Sequence, residues 1–268
     1  MKFKWCRRFF SAFFILAIIL LLAAFYTCGD VGLDENFFAS VQGEIHIDSV
    51  VPDATDELIL ALMDGLTPRF TQTISRRELS PTDSSQDVPF ILEAQTGDFD
   101  ALFVIWKQRG QPISVIENLV GSYCEDGALI PISITEDQRL VDRVSIDIGL
   151  RKVNRTANVA GVIHFNGWPE NIENLGIVFA DLSLLQDQTV CNLLRNADIR
   201  FLPTAQVDSL NFKFSIAPGP TIMVIAFNQV GGSILEPNIV TSSLTAFEAF
   251  PDSSIKVETT ANFGNIQY

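Results

Sequence analysis

Apolar and polar residues alternate along much of the chain beyond its first 40 residues. In the segment VQGEIHID, Val41 and Ile45 lie on one face of a period-two pattern and His46 lies on the other. Similar short runs recur between Pro, Gly, Asn and Asp residues. No later segment keeps a 3.6-residue period for long, because the nearest, LILALMDGL, is ended by Gly65 and Pro68. The pattern therefore predicts an all-β fold.

The pattern also repeats within the chain. The segment VQGEIHID from Val41 resembles VAGVIHFN from Val159, and Val, Gly, Ile and His coincide at one offset of 118 residues. A proline follows each segment, at Pro52 and Pro169. Further on, TGDFDALFVIWKQRG parallels PGPTIMVIAFNQVGG, and an alternating strand-like segment ends each copy. These features, in one order, predict two copies of a unit, at 41–155 and 156–268.

Each unit has the length and turn spacing of an antiparallel β-sandwich of about seven or eight strands. The two units share three features: a glycine two residues before an isoleucine on the opening strand, a proline-marked turn, and a later glycine turn at Gly97 or Gly219. They resemble the transthyretin-like, carboxypeptidase-regulatory-like domain of bacterial envelope proteins. An immunoglobulin-like sandwich is the alternative. The resemblance implies two tandem sandwiches that act as spacers, adhesion units or non-catalytic partners of enzymes.

The N-terminal residues 1–28 carry an export signal. Basic residues precede an apolar run of eighteen residues, Phe9 to Tyr26, that is broken only by Ser11. A helix of this length covers about 27 Å, close to the roughly 30 Å of a bilayer core. The basic residues predict a cytoplasmic N-terminus, with the rest of the chain outside the membrane. A cleaved signal and a retained helical anchor share this orientation.

Cys28 directly follows the apolar run and resembles the lipidated cysteine of a bacterial lipoprotein signal. Phe25, Tyr26 and Thr27 stand where such signals usually carry leucine and small residues. The sequence therefore predicts lipidation at Cys28, with an uncleaved helical anchor or ordinary cleavage to a soluble product as alternatives. Residues 29–40 read as a short tether. We expect an exported protein, membrane-anchored in the bacterial cell envelope.

The charge distribution narrows the classes of partner. The formal net charge is −14, from 18 basic and 32 acidic residues. Four of the basic residues precede the apolar run, which leaves 14 basic against 32 acidic residues, a charge of −18, beyond Cys28. Such a surface repels phosphate backbones and anionic headgroups. We therefore expect no nucleic-acid partner and a membrane contact made only through the anchor.

Two sets of residues could bind metal, although each has a simpler interpretation. His46 and His164 occupy equivalent positions in the two copies, but both point outward and have no further histidine or cysteine nearby in sequence. Acidic residues of the first copy could supply oxygen ligands for calcium, but they do not follow the EF-hand spacing: Asp98, Asp100, Glu125 and Asp126. We predict solvated side chains in both cases, with no metal and no cofactor.

The remaining candidates do not form a catalytic pattern. Cys124 and Cys191 fall at non-equivalent positions, and two buried free thiols are favoured over a disulfide across the domain boundary. No Gly-x-Ser-x-Gly elbow, phosphate-binding loop or zinc spacing occurs in the sequence. The polar segment 75–89 has no equally polar counterpart and reads as a linker, with an exposed binding loop as the alternative.

The sequence therefore predicts a non-enzymatic envelope protein whose tandem β-sandwiches serve binding to protein or glycan, adhesion or spacing. The first alternative is an accessory substrate-binding subunit of an envelope enzyme or transporter. The second is a hydrolase with a site of unfamiliar pattern, which would require a pocket with converging polar groups.

Overall fold

The computed structural model of this 268-residue chain describes residues 39–168, 170–185, 189–230 and 238–263. The predicted leader, Cys28, Pro169, and Gly231 and Gly232 lie outside the described residues. Within the described ranges, no helix has the length and apolar character needed to cross a bilayer.

The fold is all-β, as predicted, and turn residues end its strands after 2 to 12 residues. The strands are β1 (Ala39–Ile47), β2 (Thr55–Asp64), β3 (Thr67–Ser75), β4 (Gln86–Ala94), β5 (Gly97–Phe99), β6 (Ala101–Gln108), β7 (Leu119–Ser122), β8 (Cys124–Glu125), β9 (Ala128–Leu129), β10 (Ile132–Ile134), β11 (Leu140–Ile148), β12 (Ala157–Asn166), β13 (Ile172–Asp181), β14 (Asp198–Leu202), β15 (Ser209–Ile216), β16 (Gly219–Gln229), β17 (Asn238–Ala249) and β18 (Ser254–Asn262). One short helix, α1 (Val190–Asn196), occurs among the described residues.

The two halves of the chain have the same pattern of strand pairing. In the first half, β1 lies between β4 and β11, and β2 lies between β3 and β6. In the second half, β12 lies between β15 and β18, and β13 lies between β14 and β16. One seven-stranded sheet, ordered β3-β2-β6-β7-β11-β1-β4, contains the first set. The second set forms a three-stranded sheet, β15-β12-β18, and a four-stranded sheet, β14-β13-β16-β17.

The prediction of purely antiparallel sheets was wrong in one respect. The pairs β1–β11 and β12–β18 are parallel, because the first and last long strands of each half run in the same direction. Parallel neighbours require a long crossover connection, and the intervening strands of each half supply it.

Each half has its own hydrophobic core. The first cluster runs from Ala39 to Val153 and the second from Ala157 to Phe263. The second contains buried residues from both sheets of its half, such as Val159 and Phe212 on one and Ile177 and Ile225 on the other. The alternation predicted for β1 is confirmed, since Val41, Ile45 and Ile47 are buried while Glu44 is exposed.

The structure agrees with the sequence for one segment and refines the prediction for another. The segment LILALMDGL, the nearest approach to a helical pattern, forms most of β2, because both faces of that strand are covered and its pattern is therefore a continuous apolar run. The polar segment 75–89 begins with a 3₁₀ turn at Arg76–Glu78 and includes the start of β4. Leu79 is buried, and the side chain of Gln86 forms hydrogen bonds with the backbone N–H and carbonyl of Ser80.

Candidate functional site

Helix α1 belongs to the second half of the chain but packs on the first. It begins after Thr189, whose hydroxyl accepts a hydrogen bond from the N–H of Asn192 at 3.3 Å. Leu194 is buried in an apolar cluster with Phe103 and Leu119, residues of the first half. A seven-residue helix is marginal by itself, so tertiary packing is what stabilises it. We call α1 and the following residues 197–200, together with the first-half residues that contact them, the α1 junction.

Two glycines allow this close approach. A Cβ added at Gly127 would lie 2.4 Å from Cγ2 of Thr189, and Gly127 also has a φ of +80°. A Cβ added at Gly149 would lie 2.7 Å from the carbonyl oxygen of Arg195. Larger residues would therefore displace both ends of α1 from the first half.

A disulfide and a set of ion pairs connect α1 to the first half. Cys124, on β8, is bonded to Cys191. The prediction of free thiols was therefore wrong, because α1 extends from its own half to reach β8. Arg195 forms an ion pair with Asp48, and its Nη1 lies 3.8 Å from Oδ2 of Asp147. A cavity of about 210 Å³ lies beside the disulfide and is lined mainly by polar side chains.

A buried charge cluster lies at the same junction. The carboxylate of Asp198 is 3% exposed and accepts two hydrogen bonds from Arg155, at 3.0 and 3.1 Å, and one from Arg200 at 3.2 Å. Arg155 also donates to the carbonyl of Glu117 at 3.3 Å and lies 5.9 Å from the ring centroid of Trp106. Arg155, from the linker between the halves, therefore contacts both.

Lys152 is also fully buried there. Its Nζ donates to the carbonyl oxygens of Leu194 at 2.5 Å and Ala197 at 2.9 Å, which are carbonyls at the C-terminal end of α1. Burial lowers the pKa of Lys152 to about 7, although the negative charge of Asp198 partly opposes the shift. A second cavity, of about 100 Å³, lies between Lys152 and Pro218.

Because of this buried amine, the protein is expected to become more stable as the pH rises from about 7 towards 10.5. Between these values the unfolded chain carries the proton on Lys152 and the folded chain does not, so raising the pH favours folding. In Lys152→Met this rise should disappear. Thermal melting at pH 7, 8.5 and 10 measures it, with Lys213→Met on the exposed face of β15 as the control. Equal pH dependence in wild type and Lys152→Met would contradict the assignment.

The two histidines lie on the outer faces of their sheets, as predicted. His46 Nδ1 is 2.6 Å from Oδ1 of Asp87, and His164 Nε2 is 3.1 Å from Oε1 of Glu258. Each therefore has a carboxylate neighbour on an adjacent strand, and they are not brought together. Among the described residues, no group of three or more His, Cys, Asp or Glu side chains is placed to bind a metal ion.

The pKa of His46 is raised above 6.5 by its hydrogen bond to Asp87 and by the nearby charges of Asp147 and Asp48. A raised folded-state pKa adds stability below the unfolded value, and this is lost as the pH rises through the folded-state pKa. We expect the NMR titration midpoint of His46 to lie above 6.5 and to fall in Asp87→Asn. A midpoint that does not move in that variant would contradict the pairing.

Two of the four candidate calcium ligands have protein partners. Asp98 accepts a hydrogen bond from the hydroxyl of Ser133 at 2.6 Å, and Asp100 accepts one from the N–H of Gly65 at 2.6 Å. Glu125 and Asp126 lie instead at the β8–β9 hairpin. The carboxylate of Asp98 therefore links the paired strands β5 and β10, and that of Asp100 stabilises the β2–β3 turn.

Sequence reasoning missed the α1 junction. The helix is too short for its period to be recognised, and only Thr189 before an apolar pair gave an N-cap signal. Lys152 and Asp198 look like ordinary surface charges in sequence. Their burial depends on contacts between the halves, which local patterns do not encode.

No family model matches the sequence, and no curated protein is significantly similar to it. Solved structures of bacterial proteins align with it at low similarity. A leucine-rich repeat protein from Bacteroides thetaiotaomicron has a TM-score of 0.33 and 8% identity over 84% of this chain and 26% of its own. This chain thus spans about a quarter of that protein.

Two further alignments involve surface-appendage proteins. The tip fimbrial protein Mfa3 from Porphyromonas gingivalis has a TM-score of 0.26 and 10% identity over 76% of this chain and 81% of its own. The minor pilin of Streptococcus agalactiae has a TM-score of 0.21 and 10% identity over 84% of this chain and 98% of its own. At these scores the alignments establish neither a shared fold nor a shared function.

Proposed function

We propose that this chain is an exported, non-enzymatic protein of the bacterial cell envelope in which two tandem β-sandwiches act together as a rigid binding or adhesion module. The leader and Cys28 would anchor it to the membrane. The observation that carries the proposal is the disulfide between Cys124 and Cys191, which joins the two halves. Such bonds form and persist in oxidising compartments outside the cytoplasm.

The fixed connection between the two halves supports a role in bearing force or in presenting a binding surface. Within the α1 junction, the disulfide, the Asp198 charge cluster and the burial of Leu194 each oppose movement of one half against the other. Domains joined only by a linker are expected to move relative to one another. A chain that holds its two halves together would present them to a binding partner as one unit.

The sandwich architecture is part of the proposal. The shared pairing pattern and the separate cores support two copies of one unit, with boundaries near 155. The transthyretin-like resemblance remains a prediction from Gly43, Gly97 and the turns that follow.

The test follows export and disulfide formation together in a bacterial host that produces the full chain. We expect wild-type protein to be digested by protease added outside the inner membrane and to yield a linked peptide pair containing Cys124 and Cys191. A variant with Ile15→Arg and Ile19→Arg in the apolar run should stay in the cytoplasm with both thiols reduced. Wild-type protein found in the cytoplasm would refute the proposal. In the same host, membrane fractionation of Cys28→Ser distinguishes lipidation from a helical anchor. If the variant stays in the membrane fraction and keeps residues 1–27, the anchor is the helix.

A further inference from the structure

The strand ends that correspond to one another in the two halves have different surroundings. In the first half, the end formed by the C-termini of β1 and β11 receives α1 of the second half. Asp48 and Asp147 provide the carboxylates that face Arg195 there. The corresponding end of the second half, at the C-termini of β12 and β18, lies at the opposite end of those strands from the linker.

The strand register identifies the equivalent residues. His46 pairs with Asp147 across β1 and β11, whereas His164 pairs with Thr260 across β12 and β18. Asp48, two residues after His46, corresponds to Asn166, two residues after His164. Both carboxylates that contact Arg195 in the first half are therefore replaced by neutral hydrogen-bonding groups in the second.

An aromatic residue lies beside these neutral groups. The ring of Trp168 contacts Phe165, with centroids 4.9 Å apart, and Phe263, at 5.8 Å. Trp168 is nevertheless partly exposed. Two buried phenylalanines thus fix the orientation of a tryptophan whose remaining surface faces solvent. No equivalent aromatic occurs in the first half, where Val50 holds the corresponding position.

Amide side chains complete this surface. Nδ2 of Asn166 donates to Oδ1 of Asn262 at 2.9 Å, which leaves an acceptor on the first amide and donors on the second. The backbone is fixed by a 2.8 Å hydrogen bond from Phe263 N–H to the carbonyl of Asn166. The backbone carbonyl of Asn171 accepts a further hydrogen bond, at 3.0 Å, from the N–H of Val230, and Val230 is 72% exposed. We call residues 166–168, 171, 230 and 262–263 the amide tip.

We propose that the amide tip binds a neutral oligosaccharide. The apolar face of a sugar ring would pack on Trp168, and its hydroxyl groups, which both donate and accept, would pair with the amides of Asn166 and Asn262. Acidic glycans are disfavoured by the net charge of −14. A second copy stacked head to tail is disfavoured as well, because the carboxylates that would receive its Arg195 are absent from these equivalent positions.

This inference rests on the proposed function, because the tip must lie outside the cell to meet a glycan. The experiment applies detergent-extracted full-length protein to an array of neutral and sialylated oligosaccharides and then measures affinity for the best neutral ligand by calorimetry. We expect Trp168→Ala and Asn166→Asp each to weaken that affinity at least tenfold, since the first removes the ring and the second removes the donor to Asn262.

Phe250→Ala is the matched control, because Phe250 is an aromatic residue that is 61% exposed at the opposite end of the second half, and it should retain wild-type affinity. Asn166→Asp changes an exposed side chain, so it remains informative if Trp168→Ala does not fold. The inference is overturned by the absence of neutral-glycan binding, by binding to sialylated glycans alone, by equal affinity in the tip variants and Phe250→Ala, or by self-association that depends on Trp168. Any of these results, in protein that is still exported with its disulfide, leaves the proposed function intact.

Discussion

Replacing Gly43 with alanine is expected to lower the free energy of unfolding by about 3 kcal/mol or more. A Cβ added at Gly43 would lie 1.8 Å from the carbonyl oxygen of Val144, on the parallel neighbour β11. The contact is with backbone, so no change of side-chain rotamer can relieve it. The pair β1–β11 would have to separate, and β1 is central to the first core, with Val41, Ile45 and Ile47 all buried.

Gly161 should behave in the same way, because its added Cβ would lie 1.9 Å from the carbonyl oxygen of Val257 on β18. Gly97→Ala is the matched control, since the nearest atom to its Cβ is Cζ of Phe99 at 3.4 Å, an ordinary contact. Urea denaturation of the three variants, followed by circular dichroism, compares them. If Gly43→Ala and Gly97→Ala were equally stable, the close approach of β1 to β11 would be wrong.

These two glycines show why part of the fold can be predicted from sequence. The repeated Val-x-Gly-x-Ile-His segment marks the same position in both halves, and the structure gives a physical reason for the glycine, namely the adjacent backbone of a parallel strand. The alternation along β1 correctly predicted which of its residues are buried, because a strand next to a core has only two faces. The parallel pairing itself could not be inferred, since period-two patterns do not encode strand direction.

The α1 junction could not be predicted for a different reason. Arg195 and Asp48 are 147 residues apart in sequence, and their contact exists only once both halves have folded. The internal repeat gave no indication of this contact, because α1 has no counterpart in the first half. Cys124 and Cys191 therefore fall at positions that do not correspond in the two copies. The amide tip, by contrast, becomes recognisable when the halves are compared, since Asn166 replaces Asp48 at the same offset as the repeated histidines.

Removing the carboxylate of Asp198 should be among the most destabilising single changes in the chain, with an expected loss of about 3–5 kcal/mol for Asp198→Ala. Asp198 is 3% exposed and is the carboxylate that pairs with Arg155 and Arg200, both of which are 14% exposed. Without it, two largely buried guanidinium groups would remain close together without a counter-charge. The fully buried Lys152 would lose the same favourable charge, so its pKa should fall further below its ordinary value.

Asp64→Ala provides the control, because Asp64 and Arg69 form an ion pair in which both side chains are more than half exposed. Such pairs contribute about 0–1 kcal/mol. Urea denaturation under non-reducing conditions, so that Cys124–Cys191 stays intact, isolates the charge cluster from the disulfide. If Asp198→Ala lowered the free energy of unfolding no more than Asp64→Ala does, the prediction would fail, and the charge cluster would be accessible to water. Joint replacement of Asp198 by Leu and of Arg155 and Arg200 by Met should recover most of the stability, because it removes the buried charges together.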